Sequence, residues 1–148
     1  MELFIVNEDL AALEQALAAA QGDAALDLTV ACAWHLRQRD CQRALTLALQ
    51  AERLLAQSGL SARAQSLHLA RLQLLRAEIK LLFGDGVLAQ DMATAATAEF
   101  ARLHDALGLG DAHWLQASIN VDRGNSLQVA QCLVDAAAAY QSAGDPLR

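Results

Sequence analysis

Three short stretches of this chain carry the same helix-boundary signature: Arg39-Asp40 followed four residues on by Ala44, Gly84-Asp85 followed by Ala89, and Gly124-Asn125 followed by Val129. The spacings are 45 and then 40 residues, and self-similarity at such periods specifies a stack of helical hairpins rather than one closed globule. A single hairpin cannot bury its apolar face alone, so hairpins pile on one another, and the pile offers a groove.

Capping residues and apolar spacing divide the chain into seven helices within a single domain over 1–148. Asp9 caps a first helix to Gln21, closed by Gly22, and Asp23 caps a second from Ala24 to about Gln38. After the Arg39-Asp40 turn a third runs from Cys41 to about Gln57, with an inward stripe of Ala44, Leu47, Ala48, Ala51, Leu54 and Leu55. Ser61 opens a longer helix to about Phe83. The fifth spans about Val87 to Leu107, where Gly108-Leu109-Gly110 is expected to break it. Asp111 caps the sixth, to Arg123, and the seventh spans Ser126 to about Ala143. The pairs are 24–57, 61–107 and 111–143, preceded by the helix over 9–21. Ala143-Gly144-Asp145-Pro146 reads as a turn into a further helix, so the chain is expected to be the N-terminal part of a longer polypeptide.

The composition narrows what such a stack does. Hydrophobic residues make up 55 % of the chain but aromatics only 4 %, and about a fifth of all residues are alanine. Small side chains let helices approach closely and leave little volume for a buried ligand. The net charge is −6, with Lys80 the one lysine and the arginines scattered. No basic stripe exists to neutralise phosphates, so neither nucleic acid nor an anionic membrane is expected as partner. Met1 to Val6 has no positive flank, and no apolar run approaches the ~18 residues of a spanning helix, so the expected location is cytoplasmic. Cys32, Cys41 and Cys132, odd in number and without Cys-x-x-Cys spacing, fit reduced thiols.

Aligned on the turns, small residues recur where two helices of a hairpin meet: Cys32 with Ala44, Ala48 and Ala51; Ala77 with Ala89, Ala93 and Ala96; Ala117 with Val129, Leu133 and Ala136. This pattern, over roughly residues 24 to 145, resembles tetratricopeptide (TPR) repeats. The spacings exceed that family's period of about 34 residues, and its proline between the first and second repeats is absent. The resemblance implies an all-α fold, a right-handed TPR-like helical-hairpin superhelix of about seven helices. Two stretches carry a narrower likeness: Ala33-Trp34-His35-Leu36-Arg37-Gln38-Arg39-Asp40 leading into Arg43-Ala44-Leu45, and Asp111-Ala112-His113-Trp114-Leu115-Gln116-Ala117 leading into Val121-Asp122-Arg123-Gly124. They look like the N-terminal helical-repeat region of bacterial signalling proteins that carry a GGDEF diguanylate cyclase output domain. No Gly-Gly-Asp-Glu-Phe motif occurs in this chain. The likeness therefore implies a module without catalysis of its own that controls an output domain elsewhere.

In a TPR-like array the first helix of each pair lines the concave face. That register places Arg37, Leu74, Glu78, Trp114, Ser118 and Asp122 in a partner-binding groove, together with Leu26, Thr29 and Ala33. Trp34 and Trp114 could each anchor a partner helix or fill a gap in the alanine-rich core. Core filling is favoured for Trp34, and both readings stand for Trp114. One cation and two carboxylates do not make a clamp for a C-terminal carboxylate, so a mixed or apolar protein partner, the output domain or a second copy is expected. His104, Asp105, Asp111 and His113 bracket the diglycine turn, but aspartate at helix starts and histidine at helix ends are ordinary capping chemistry, so no metal is expected. His35 and His68 lack triad partners. Gly84-x-Gly86 follows no strand and is too short to cradle phosphate. The three cysteines read most simply as small buried hydrophobes; Cys41, between Arg39 and Arg43, is the one whose setting could lower its pKa, with redox sensing as the minor alternative. No catalytic residue and no cofactor are expected. The favoured expectation is a protein–protein interaction or sensory module, with a small-molecule sensor or a free-standing adaptor or dimerisation protein as alternatives.

Overall fold

A left-handed residue returns every twenty positions through the second half of the chain: Gly84 (φ 81°), His104 (φ 54°), Gly124 (φ 68°) and Gly144 (φ 76°). The computed structural model, which describes residues 3–144, shows the first three closing a helix in the same way. The Gly84 N–H donates to Leu81 O and the Asp85 N–H to Lys80 O, both at 2.9 Å. His104 and Asp105 repeat the pair with Ala101 O and Phe100 O at 3.1 and 2.9 Å, and Gly124 and Asn125 with Val121 O and Asn120 O at 3.0 Å. These are Schellman closures, which satisfy the last carbonyls of one helix and aim the chain into the next. The residue after the left-handed one then takes the N-cap position of the following helix; of the three, Asp85 alone caps with its side chain, accepting from the Leu88 N–H at 3.2 Å, while Asp105 and Asn125 make no such bond.

Seven helices result among the described residues, without strands: α1 Asn7–Ala19, α2 Gly22–Leu36, α3 Cys41–Gln57, α4 Ala62–Leu82, α5 Gly86–Arg102, α6 Ala106–Asp122 and α7 Ser126–Ser142. The α3 bounds are those read from the sequence, with Asp40 accepting from the Arg43 N–H at 3.0 Å. Asp9 and Asp23 are not caps. They lie in the first turns of α1 and α2, whose caps are Val6 and Gln21. There their charge still meets the positive end of the helix dipole.

The largest departure is between α5 and α6. Gly108-Leu109-Gly110 is not a break; α5 has already ended at Arg102, and the diglycine lies in the opening turns of α6. Glycine inside a helix costs about 1 kcal/mol relative to alanine, so something must require it. A Cβ on Gly108 would stand 2.5 Å from Phe100 Cε1, and one on Gly110 would stand 2.5 Å from Tyr140 Cδ1. Each glycine is therefore the slot for a ring from the neighbouring helix. The spacing of 40 in the sequence is two steps of twenty, and the intermediate step is hidden because His104 takes the place of glycine.

The hairpins are α2 on α3, α4 on α5 and α6 on α7; α5 also packs broadly on α6, and α1 on α2. The first helices α2, α4 and α6 touch in sequence and form one row. Second helices meet this row through alanine: Ala44, Ala48 and Ala51 of α3 and Ala89, Ala93 and Ala96 of α5 are fully buried. The first helices supply the bulk, with Leu26, Val30, Trp34, Leu72, Leu74, Leu75, Leu115 and Ile119 in the core. No helix among the described residues is long and apolar enough to cross a membrane.

Candidate interaction groove

Along the row α2–α4–α6 runs a chain of buried polar groups. Arg37, one turn beyond the indole of Trp34, holds its guanidinium 3.8 Å from that ring and pairs through Nε with Glu78 Oε2. Its Nη1 donates to Trp34 O at 2.6 Å. The Gln38 side-chain amide donates to the other Glu78 oxygen. Burial pulls the Arg37 guanidinium below its ordinary value, and the Glu78 charge pulls it back.

One step along, Arg71 lies 4.8 Å from the Trp34 ring centre and 5.1 Å from that of Phe100, and pairs with Asp111 Oδ2. Tyr140 donates its hydroxyl to the other Asp111 oxygen at 2.9 Å. Arg71 and Asp111 are forty residues apart, the same position of consecutive repeats, as are Phe100 and Tyr140. One repeat position thus carries a cation in α4 and an anion in α6, and the two neutralise each other across the hairpin boundary. The sequence reading took Asp111 as a helix cap; it is instead a fully buried ion-pair partner.

The six groove residues do not share one environment. Leu74 is fully buried in the core and offers nothing to a partner. Arg37 and Glu78 are buried and paired with each other, and Leu26, Thr29 and Ala33 are buried too. Asp122 is exposed at the end of α6, and Ser118, half-buried, donates to Trp114 O at 3.3 Å. Trp34 is core, 1 % exposed. Trp114 is half-buried, and its outer surface meets Phe4 edge-on, with ring centroids 5.8 Å apart.

Sequence reasoning missed that last partner. Residues 3–6 form no helix and cross the row as a strap. Arg37 Nη1 donates to Leu3 O at 3.2 Å, the Arg37 guanidinium lies 5.6 Å from the Phe4 ring centre, and Arg39 donates to Ile5 O and, at 2.9 Å, to the Asn7 side chain. The signal available in the sequence was a short apolar stretch with an aromatic, Leu3-Phe4-Ile5-Val6.

Other candidate chemistry resolves into structure. His113 bonds Gln116 at 3.2 Å, Asp111 is engaged as above, and no group of three metal-ligating side chains comes together among the described residues. Cys41, the first residue of α3, donates its thiol across the α2–α3 turn to Arg37 O at 3.1 Å. Burial raises the Cys32 thiol above its usual value, with Glu14 adding to the effect. Between α2, α4 and the start of α6 lies a cleft of about 270 Å³ lined by Asp27, His68, Arg71 and Asp105. That is below the roughly 300–1,000 Å³ of small-molecule sites, and its arginine is already committed to Asp111.

The far end of the stack is different. Leu127, Val134 and Val121 are 79 %, 63 % and 63 % exposed, and Val121, Val129 and Leu133 line a depression of about 340 Å³ between α6 and α7. No protein-family model matches the chain, and neither a curated protein nor a solved structure matches it.

Proposed function

We propose that this chain is a non-catalytic protein–protein interaction module with a TPR-like, right-handed stacking of its hairpins. One comparison carries the reading. Ala93 of α5 is fully buried, one turn before Thr97, which accepts from Gln116 of α6 at 3.1 Å. Its counterpart forty residues on, Leu133 of α7, is 47 % exposed. The face that α6 covers on α5 thus recurs on α7, with leucine in place of Ala93 and alanine (Ala137) in place of Thr97, and both are exposed among the described residues. Burying apolar area at about 25 cal/mol per Å² favours a helix docking there as α6 docks on α5.

A second copy of α7 meets that requirement by two-fold symmetry, since an apolar stripe complements itself. In the context implied by the resemblance to the N-terminal regions of GGDEF signalling proteins, pairing through α7 sets the spacing of attached diguanylate cyclase domains and so their activity. The reading is tested by sedimentation over a wide concentration range. The chain should dimerise, and Leu133→Glu should make it monomeric with unchanged helicity; a strictly monomeric native chain at high concentration would count against it.

A further inference from the structure

We infer that the row α2–α4–α6 is a docking site for an extended peptide segment bearing an aromatic residue, and that the chain's own Leu3–Val6 occupies it in cis. The inference extends the interaction reading above to a second surface. The strap is held in two ways. Its backbone carbonyls at Leu3 and Ile5, two residues apart, accept from Arg37 and Arg39. Such bonds ignore side-chain identity. Its Phe4 ring, between those carbonyls in sequence, packs edge-on against Trp114 and beside the Arg37 guanidinium. That contact selects an aromatic.

The groove side is braced by buried contacts, and the strap side is largely at the surface. Arg37 is locked by Glu78 and by its stacking on Trp34, so its donors are aimed before anything docks. The occupant is only partly seated: Leu3 is half-buried against the core, but Phe4 is 54 % exposed and Val6 59 %, and no helix or sheet hydrogen bonding holds residues 3–5. A segment tethered this closely acts at an effective concentration of the order of mM, so it blocks weak ligands and yields to ones that bind better. The apparent affinity of any partner is reduced by the fraction of chains whose groove is closed.

The test uses the full chain and a fluorescent peptide with the sequence of residues 1–8 as probe, read by anisotropy. Phe4→Ala, at a half-exposed position, should open the groove and bind the probe at least tenfold more tightly than the native chain. A probe carrying Phe4→Ala should lose that binding, and so should the Phe4→Ala chain further changed by Trp114→Leu or, at an exposed position, Arg39→Ala. Equal probe affinity for the native and Phe4→Ala chains overturns the cis competition. Absence of probe binding to the Phe4→Ala chain overturns the docking site itself. Neither result bears on pairing through α7, which sedimentation decides separately.

Discussion

Gly108 and the ring of Phe100 occupy one volume: the space a Cβ would take on the glycine is filled by the edge of the phenyl group. Two opposed effects meet at Gly108→Ala. Helix propensity favours alanine by about 1 kcal/mol, while forcing an extra carbon into a packed site costs about 1–3 kcal/mol. Packing wins, because Phe100 is fully buried between Arg71 and α6 and has nowhere to go. Urea unfolding should show Gly108→Ala destabilised by about 1–2 kcal/mol. Gly86→Ala, in open space at the start of α5, should be neutral or slightly stabilising. A stabilised Gly108→Ala chain would contradict the slot.

At the neighbouring boundary the Arg71–Asp111 pair is buried on both sides. Removing one partner strands the other charge, so Asp111→Ala should cost about 3–5 kcal/mol. Tyr140→Phe should cost about 1.5–3 kcal/mol, the scale of a hydrogen bond to a charged group. Replacing both ions, as Arg71→Met with Asp111→Leu, should cost less than Asp111→Ala alone. Additive losses in that double-mutant cycle would show that the two side chains are not coupled.

His104 stands where its three counterparts are glycine, at a φ of 54°. A left-handed conformation costs an L side chain about 1–2 kcal/mol, partly offset by the greater freedom glycine loses on folding. His104→Gly should raise stability by about 0.5–1 kcal/mol, and Gly84→Ala should lower it by a similar amount. Thermal melts of the two variants side by side would reveal the opposite signs, and equal shifts would refute the shared turn geometry.

Between α3 and α4, Arg76 donates to Glu52 Oε1 at 2.6 Å, and this bond holds the Glu52 carboxyl below its usual range against the opposing effect of burial. A carboxyl depressed on folding contributes stability above its unfolded value and loses that contribution as pH falls through the folded one. The pair is about a third exposed, so its worth is at most about 1 kcal/mol. Glu52→Gln should therefore be less stable than the native chain near neutral pH and indistinguishable from it near pH ~3. A constant gap at both pH values would mean that ionisation plays no part.

Residues that speak for themselves locally were legible in the sequence. Asp40 and Ser61 cap α3 and α4 because a short oxygen side chain reaches the backbone N–H three residues on. The alanines at 44, 48 and 51 and at 89, 93 and 96 mark a helix face with no room for more. The number of helices among the described residues and their pairing follow from such signals. The groove residues were legible only by register, which places a position on a face without telling whether another element already covers it; Leu74, Arg37 and Glu78 lie on the expected row but beneath its surface.

What the amino-acid sequence determined by itself was the hairpin array, since capping and helical spacing act over four residues or so and need no distant partner. Only the tertiary structure decided the rest, through contacts between residues on different elements of the fold. Gly108 and Gly110 read as a break until Phe100 and Tyr140 claim their space, and Asp111 reads as a cap until Arg71 reaches it. The strap at Leu3–Val6 finds its place only when α2 and α6 are held on either side of α4 and present Arg37 and Trp114. Glycine, aspartate and a short apolar tail each satisfy several local roles, and the free energy that selects among them comes from packing the helices together.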